Sequence, residues 1–406
     1  MTDRSWPIEK LGRTARIGNG STPRRDSTIY WDSGDVPWLN SSVVNKSRVT
    51  QAEQFVTAVA LRECHLPVVA PGSVLVGLTG QGKTRGMATI LDIEATLNQH
   101  IAYVTPDPSR WFPEYLLWSL RSAYDELRCV SEENGSTKGG LTCEALKQFR
   151  LVVPPFGYQR VIANYLDRET ARIDTLIEEQ QRLIELLHER RESAIRAVLL
   201  RGLDSDAPLR ASGSEFLGSI PSVWNVVPTR HLCTITTGDE DSGNATEDGA
   251  YPFYVRGREI LRSNAYAFDG EAVMTPGDGQ GGTGKVFHYF DGKFQAHQRV
   301  YVFTDFHRIA GRYFYYYLST FLRPIALAGS NTVTMESLRR PLLAGFPVAV
   351  PPSEEQIRIV GYLDEQTAKI DQLIAETERF IELSQERRAA LITAAVTGQI
   401  DVRGAA

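Results

Sequence analysis

The sequence lacks the features that define several large classes of protein. No apolar run approaches the roughly 18 to 20 residues needed to span a bilayer, and no apolar signal segment follows the N-terminus. The four cysteines, Cys64, Cys129, Cys143 and Cys233, are far apart and form no Cys-x-x-Cys pair, so neither a disulfide framework nor a zinc knuckle is indicated. We expect a cytoplasmic protein whose cysteines mostly lie in the core.

Motifs of catalysis are also missing. The seven histidines form no His-x-His or His-Glu-x-x-His pattern, and no Gly-x-Ser-x-Gly elbow is present. Pro154-Pro155-Phe156 comes close to the Pro-Pro-Tyr/Phe motif of adenine methyltransferases, but Val153 stands where that motif has Asn or Asp. The sequence therefore favours a protein without catalytic chemistry or a metal of its own.

A strongly basic composition, which is common among nucleic-acid-binding proteins, is absent as well. The net charge is -5, but residues 351–406 hold 10 Asp and Glu against 6 Lys and Arg and so carry most of the acidity. The segments 1–150 and 206–350 each differ from neutrality by one charge. This distribution leaves room for a local basic face on either segment.

What the sequence does contain is an internal repeat. Residues 154–159 recur as residues 351–356, an offset of 197, and the register holds without a gap for about fifty residues. Tyr165-Leu166-Asp167 becomes Tyr362-Leu363-Asp364, and Glu189-Arg190-Arg191 becomes Glu386-Arg387-Arg388. A chain of 406 residues is long enough for two or three domains, so the repeat indicates a duplicated unit.

Both copies of the repeat are predicted to be long helices. A proline pair precedes each copy, and neither proline nor glycine occurs from Tyr158 to Arg201 or from Tyr362 to Thr397. Apolar residues recur at spacings of mostly three and four, which favours pairing of the two helices as an antiparallel coiled coil, with polar interruptions at Gln180, Thr377 and Ser384. The residues assigned to the coiled coil or to subunit docking are Tyr165, Leu166, Ile173, Leu176, Leu183, Leu187, Tyr362, Leu363, Ile370, Leu373 and Phe380.

The segments outside the helices follow one plan. Short apolar runs such as 74–76, 101–104 and 299–303 predict strands, and helical stretches are predicted at 113–127 and 312–321. In both segments the order is strands, a glycine loop, strands, a helix and a polar stretch before the proline pair. Two mixed α and β domains in tandem are therefore expected.

The glycine loop of the first segment admits three interpretations. Residues Gly77 to Thr84 fit the P-loop pattern, but a P-loop needs a helix that begins at its lysine, and a β-like run follows here. The matching loop, Gly279 to Val286, keeps Gly-Gln-Gly and a lysine but lacks the Ser or Thr that holds magnesium. Nucleotide binding, a plain turn with positive φ, and a loop whose backbone approaches DNA all stay open.

Loop residues of both segments supply candidate DNA contacts. Amides and arginines can read adenine and guanine edges with two hydrogen bonds, while lysines and arginines hold phosphates. Each candidate has a solvated loop as its alternative. The candidates are Thr22, Arg24, Arg25, Asn40, Gln81, Lys83, Thr84, Arg85, Gln99, His100, Lys138, Arg256, Arg258, Gln280, Lys285, His297, Gln298 and Arg299.

Over its whole length the sequence resembles the specificity subunit of Type I restriction-modification enzymes. The twin helices carry most of the resemblance, with Pro-Pro-x-x-x-Gln, Tyr-Leu-Asp, Ile-Asp-x-Leu-Ile and Glu-Arg-Arg in both copies. The turn Gly20-Ser21-Thr22-Pro23, the run Gly72-Ser73-Val74-Leu75 and the glycine loop followed by residues 291–294 add to it. The first helix departs from the family by having Tyr158-Gln159 in place of a Glu-Gln pair.

The resemblance implies an α+β fold with two target-recognition domains, residues 1–153 and 207–350. Each is followed by a helical region, residues 154–206 and 351–406, and the two helices would pair as an antiparallel coiled coil with pseudo-twofold symmetry. Each domain would read one half of a split, asymmetric target in double-stranded DNA. A helix of about 32 residues is about 48 Å long, which would limit the gap between the halves to roughly 14 base pairs.

The resemblance also implies partners and cofactors. Two methyltransferase subunits would dock on the helices, and a restriction subunit that translocates DNA would join them for cleavage, with no membrane partner. This chain would hold no cofactor, because S-adenosylmethionine belongs to the methyltransferase subunit and ATP with Mg²⁺ to the restriction subunit. A P-loop NTPase and a coiled-coil scaffold without DNA specificity remain the alternatives.

Overall fold

The computed structural model describes residues 6–80, 82–133, 140–214, 216–278, 284–328 and 337–402. Within these ranges no helix combines the length and the apolar content that a bilayer crossing requires. Cys233 is buried in a hydrophobic core, Cys64 and Cys143 are half-buried and pack against hydrophobic clusters, and Cys129 is exposed, so three of the four cysteines contact a core as expected.

The first half of the chain alternates short strands with short helices before one long helix. Its strands are β1 (Ile8–Lys10), β2 (Ala15–Asn19), β3 (Val36–Leu39), β4 (Arg48–Val49), β5 (Gln54–Val56), β6 (Val74–Gly77), β7 (Ala88–Leu91), β8 (Thr96–Leu97), β9 (Ile101–Pro106) and β10 (Arg150–Val152). Its helices are α1 (Leu11–Thr14), α2 (Thr28–Trp31), α3 (Ala58–Glu63), α4 (Pro113–Ser122), α5 (Tyr124–Glu133), α6 (Cys143–Gln148) and the long α7 (Phe156–Arg201).

The second half has a similar sequence of elements. Its strands are β11 (Leu209–Ala211), β12 (Ser219–Pro221), β13 (Asn225–Pro228), β14 (Thr234–Thr237), β15 (Tyr251–Tyr254), β16 (Ile260–Ser263), β17 (Phe268–Pro276), β18 (His288–Ala296), β19 (Val300–Thr304) and β20 (Pro347–Val350). Its helices are α8 (Gly311–Ala328), α9 (Arg340–Gly345) and the long α10 (Ser353–Val396). The strands and helices predicted in both halves are confirmed, although the first predicted short helix is divided into α4 and α5.

The chain divides into two compact units that the long helices share. The first unit is Met1–Gln180 with Arg379–Ala406, and the second unit is Gln181–Glu378. Each unit therefore contains one of the two mixed domains, a part of α7 and a part of α10. The boundary falls inside both helices, in a stretch where neither helix is interrupted.

The two units have sheets of the same design. Four strands follow the order β2-β9-β6-β7 in the first unit and β14-β19-β17-β18 in the second. Next to this core, β3 pairs in parallel with β8, and β15 pairs in parallel with the end of β18. A further two-stranded ribbon leads into the long helix in each unit, β1 with β10 and β13 with β20. The prediction of two domains with one plan is confirmed.

The repeated Pro-Pro-x-x-x-Gln signature has a direct structural reason. The buried Gln159 side chain donates to the carbonyls of Pro154 and Arg110 at 2.9 and 2.8 Å and accepts from the Phe112 amide at 2.8 Å. Gln356 makes the same three bonds, to the carbonyls of Pro351 and Arg308 and from the Ala310 amide. The glutamine thus satisfies backbone groups just before the domain helix, which fixes where the long helix begins.

The repeated Tyr-Leu-Asp signature joins each long helix to its domain. Leu166 and Leu363 are buried in the hydrophobic cores of their units. The aspartate that follows accepts hydrogen bonds from the domain helix, Asp167 from the Trp118 indole at 2.8 Å and Asp364 from the guanidinium of Arg312 at 2.8 Å. The helices are therefore part of the cores rather than separate appendages.

Within the second unit the two long helices pack against each other. Leu187 of α7 packs with Ile370 and Ile374 of α10. Further along α7, Ile195 and Leu199 belong to the same large hydrophobic core as residues 359 and 363 of α10. These contacts agree with the predicted antiparallel order, and the coiled coil itself stays a prediction.

Four residues assigned to the helix seam are exposed and do not lie in it. Leu183, Leu373 and Phe380 are 41, 48 and 44% exposed, whereas Leu166, Leu187, Leu363 and Ile370 are buried. Tyr362 is also exposed, and Tyr165, Ile173 and Leu176 are half-buried. The assignment of the exposed residues to the seam is wrong because the apolar stripe is wider than the contact face of the helix. Their assignment to subunit docking stays a prediction.

Candidate nucleic-acid interface

A glycine in each unit brings two loops into close contact. A Cβ atom on Gly20 would lie 1.7 Å from the carbonyl oxygen of Leu97, and one on Gly238 would lie 1.9 Å from that of Ala296. The Gly20 amide donates to the Asn98 carbonyl at 3.2 Å. Only glycine fits so near a backbone carbonyl, so this residue type sets the distance between the loops in both units.

In the first unit this contact connects four polar side chains from three loops. The Thr22 hydroxyl donates to Gln99 Oε1 at 2.6 Å, and Gln99 Nε2 lies 3.3 Å from His100 Nε2. His100 Nδ1 lies 3.1 Å from the Thr79 hydroxyl. Gln99 therefore connects Thr22 to the His100 ring, and the ring connects Gln99 to Thr79. The predicted contacts Thr22, Gln99 and His100 are thus brought together, and Thr79 joins them.

The second unit has the same frame with different side chains. The Leu78 amide donates to the His100 carbonyl at 2.9 Å, and the Gly277 amide donates to the Arg299 carbonyl at 2.7 Å. This backbone register makes Thr79 equivalent to Asp278 and His100 equivalent to Arg299. Where Thr79 meets His100 in the first unit, Arg299 Nη1 donates to Asp278 Oδ2 at 3.0 Å in the second.

An exposed glutamine precedes this variable position in both units. Asn98 Oδ1 accepts from the amide of His100, and His297 Nδ1 accepts from the amide of Arg299, both at 3.0 Å. Gln99 and Gln298 stand between these partners, and both are exposed. The loops therefore offer an amide at the same place on each unit.

His297 is a correction to the predicted contacts. Its side chain is buried, and burial together with the nearby Arg256 charge lowers its pKa below the ordinary value for histidine. The ring holds the Arg299 backbone from inside the loop, as Asn98 does in the first unit. It is a positioning residue and not a group that can reach a base.

Two further predicted contacts have structural roles. Arg85 is 7% exposed, so its guanidinium does not face solvent. Asn40 Oδ1 accepts from the Ser42 amide at 2.9 Å and caps the turn Ser41–Asn45. The surface position expected for Arg85 is wrong, because charge does not reveal the direction of a side chain, whereas Asn40 is half-buried and stays a predicted contact.

The remaining basic candidates of the first unit lie at the surface. The Arg25 guanidinium stacks 4.2 Å from the Trp31 ring and 4.7 Å from the Trp38 ring, which holds the side chain in one place. Arg24 is exposed beside Asp26. Lys83 is exposed and Thr84 half-buried.

In the second unit, Gln298 Nε2 lies 3.4 Å from Asp241 Oδ2. Arg256, Arg258 and Lys285 are exposed. Three predicted contacts lie outside the described residues: Gln81, Lys138 and Gln280. Asp241 and Asp278 were not predicted, since nothing in the local sequence brings them beside residues 297–299.

The glycine loop of the first unit joins two antiparallel strands. The Gly86 amide donates to the Gly77 carbonyl at 2.9 Å, and β7 follows directly. Tyr124 and Arg128 of α5 donate to the carbonyls of Lys83 and Gly82 at 3.0 and 2.7 Å. The described residues 82–91 form turns and a strand instead of a helix starting at Lys83, so the P-loop interpretation is wrong.

A family model agrees with this architecture. The model, described as the Type I restriction modification DNA specificity domain, matches residues 4–186 and 221–382. The specificity subunit of the Escherichia coli Type I restriction enzyme EcoDI is 30% identical over 183 residues, which is 45% of this chain and 40% of that protein. The match thus spans about two fifths of the length of this relative.

Two solved structures share the fold at 15% sequence identity. One, from work on complex assembly and conformational transition of the type I R-M system, covers 97% of this chain and 98% of its own length with a TM-score of 0.77. The other, the HsdS subunit from Thermoanaerobacter tengcongensis, covers 97% of both chains with a TM-score of 0.59.

Proposed function

The chain belongs to the Type I restriction-modification DNA specificity family, and we propose that it selects the DNA sequence on which such a complex acts. Each unit would read one half of a split target in double-stranded DNA. The chain would recognise DNA and leave the chemistry to other subunits.

One observation carries this proposal. The two units have the same loop frame, with an amide at Gln99 and Gln298, but the neighbouring pair is Thr79 with His100 in one and Asp278 with Arg299 in the other. A fixed frame with different hydrogen-bonding groups is suited to reading two different base sequences. Phosphates would be held by exposed cations such as Lys83 and Lys285, so binding should weaken steeply with salt.

Exposed apolar residues of the long helices support the proposed protein partners of the chain. Leu183 and Leu186 of α7 and their repeat counterparts Phe380 and Leu383 of α10 are 41 to 53% exposed. We call these four residues the docking set. The α7 pair would contact one methyltransferase subunit and the α10 pair a second one, so two copies would bind. A restriction subunit would complete the complex. S-adenosylmethionine would be bound by the methyltransferase subunit, and ATP with Mg²⁺ by the restriction subunit.

The experiment that tests this function is co-expression with the neighbouring methyltransferase subunit, followed by genome-wide mapping of N6-methyladenine with and without this chain. The expected result is a split motif that appears only with the chain. Exchange of residues 207–350 should change one half of the motif, and exchange of residues 1–153 should change the other. A verified complex without any chain-dependent motif would refute the proposal.

A further inference from the structure

The second unit contains an ion-paired group of three side chains at the end of its sheet. Asp278 follows β17, Arg299 precedes β19, and Arg256 follows β15. Arg299 Nη1 lies 3.0 Å from Asp278 Oδ2, and Arg256 Nη1 lies 3.8 Å from Asp278 Oδ1. One carboxylate thus holds two guanidinium groups from different loops.

The backbone fixes this group in place. Pro276 pairs with Val300 at the end of the β17–β19 ladder, and the next amide, that of Gly277, donates to the Arg299 carbonyl. A Cβ atom on Gly277 would lie 2.8 Å from the Tyr301 ring, so the chain approaches closely there. The backbone therefore places Asp278 and Arg299 side by side without help from a ligand.

Stability does not explain why this group is present. The Arg299, Arg256 and Asp278 side chains are 55, 48 and 34% exposed, and ion pairs with that exposure contribute little to folding because water competes for both partners. Asp278 Oδ1 is buried and accepts no hydrogen bond from the described residues. This oxygen therefore stays available to the Arg256 guanidinium, which lies 3.8 Å away. The ion pairs orient both arginines, and the N–H groups that do not face Asp278 remain exposed to solvent.

Two further carboxylates belong to the loop that pairs with residues 297–298. The Gln298 amide donates to the Glu240 carbonyl at 3.0 Å, and Asp241 Oδ2 is 4.0 Å from the His297 ring. Such a loop repels phosphates. The negative charge of this loop disfavours a phosphate next to the guanidinium groups, which favours a base as their partner.

We infer that the second unit reads a G·C base pair in its half of the target through Arg299, which Asp278 holds in position, with Arg256 as the second arginine of the same site. A guanidinium donates two parallel hydrogen bonds to guanine O6 and N7 from a planar, rigid fork. The equivalent first-unit pair, Thr79 with His100, has no such fork. This inference rests on the proposed function and specifies the base pair that the Arg299 site reads.

The test uses the full chain in complex with its methyltransferase subunit and a library of randomised DNA duplexes, selected by binding and sequenced. Wild-type complex should select a guanine at a fixed position in the half that changes when residues 207–350 are exchanged. Arg299→Met keeps the length of the side chain but removes its hydrogen-bond donors, so it should lower discrimination at that position by about 5- to 150-fold, which is the range for one bidentate contact. Asp278→Asn should weaken the same discrimination without affecting the other half.

Arg230→Met is the matched control, because Arg230 is exposed in the turn Thr229–His231 that precedes β14, at the opposite end of that strand from Gly238. It should leave the selected motif unchanged. Thermal unfolding and recognition of the first half report whether each variant is folded.

Three outcomes would overturn the inference: a second half without a fixed guanine, an Arg299→Met complex that retains the full motif, or an Arg299→Ala complex that loses affinity equally for all sequences with a smaller salt dependence. The last result would identify a phosphate contact. A wild-type complex that selects no motif would instead refute the proposed function, so the two failures are distinguishable.

Discussion

Arg388 of α10 forms a two-pronged ion pair with Asp174 of α7 in the first unit, at 2.7 Å from Nε to Oδ1 and 3.1 Å from Nη2 to Oδ2. Both residues have counterparts 197 positions away, Arg191 and Asp371, and these pair at 3.1 Å in the second unit. The same interaction therefore occurs once in each unit with the roles of the two helices exchanged.

A double-mutant cycle on Asp174→Ala and Arg388→Ala should give a small coupling energy. The two side chains are 48 and 32% exposed, so we expect about 0.2 to 1 kcal/mol from urea unfolding of the full chain. Arg387→Ala, next to this pair, is the control. A coupling of zero would mean that the pair does not stabilise the helix contact.

Gly20→Ala should damage the first half of the recognition site. The new methyl group would overlap the Leu97 carbonyl, so the loop that carries Thr22 must move away from Gln99. We expect a loss of about 1 to 3 kcal/mol in unfolding free energy and loss of the first half of the methylation motif. Gly82→Ala, with nothing within 4 Å of its added Cβ, should have neither effect. Retention of the whole motif by Gly20→Ala would show that this loop contact does not position the reading groups.

Lys83→Ala should weaken DNA binding equally for all sequences. An exposed lysine in a strand-connecting loop is suited to a phosphate, so the slope of log affinity against log salt should fall by about 1. The selected motif should stay the same, and Gln99→Ala, which removes a base-reading group, provides the opposite pattern for comparison. A changed motif in Lys83→Ala would contradict the assignment to a phosphate.

Leu186→Asp and Leu383→Asp should each weaken binding of one methyltransferase subunit. Both leucines are about half exposed, so the free chain should unfold at nearly the same temperature as the wild type. Burial of an unpaired carboxylate at the contact should lower affinity by at least about tenfold. Native mass spectrometry should detect complexes with one methyltransferase subunit instead of two, whereas the exposed neighbour Glu185→Gln should leave two. Unchanged stoichiometry and affinity would place docking elsewhere.

The long helices and the twofold plan could be predicted because the repeat is linear in sequence. Residues that share a helix stay in one register, so the offset of 197 aligned residues 154–206 with 351–406 directly. In the domains the loops differ in length, and the backbone hydrogen bonds show that His100 is equivalent to Arg299, an offset of 199. Local motifs are too short to determine that shift.

The polar network of the interface could not be predicted in the same way. The bond between Thr22 and Gln99 joins residues 77 positions apart, and it depends on how β2 pairs with β9. Arg85 and His297 have the residue types of DNA contacts, yet both are buried. Residue type indicates which chemistry is available, and only the fold determines which side chains reach the surface.

The core of the first unit includes Ile392, Ala395, Val396 and Val402 beside Trp111 and Tyr115, and the Tyr115 hydroxyl donates to the Val396 carbonyl at 2.9 Å. These groups are separated by more than two thirds of the chain. During synthesis on the ribosome, the domain that emerges first must therefore wait with part of its apolar surface uncovered until residues 392–402 have been made, while the domain that emerges second finds its α7 segment already present.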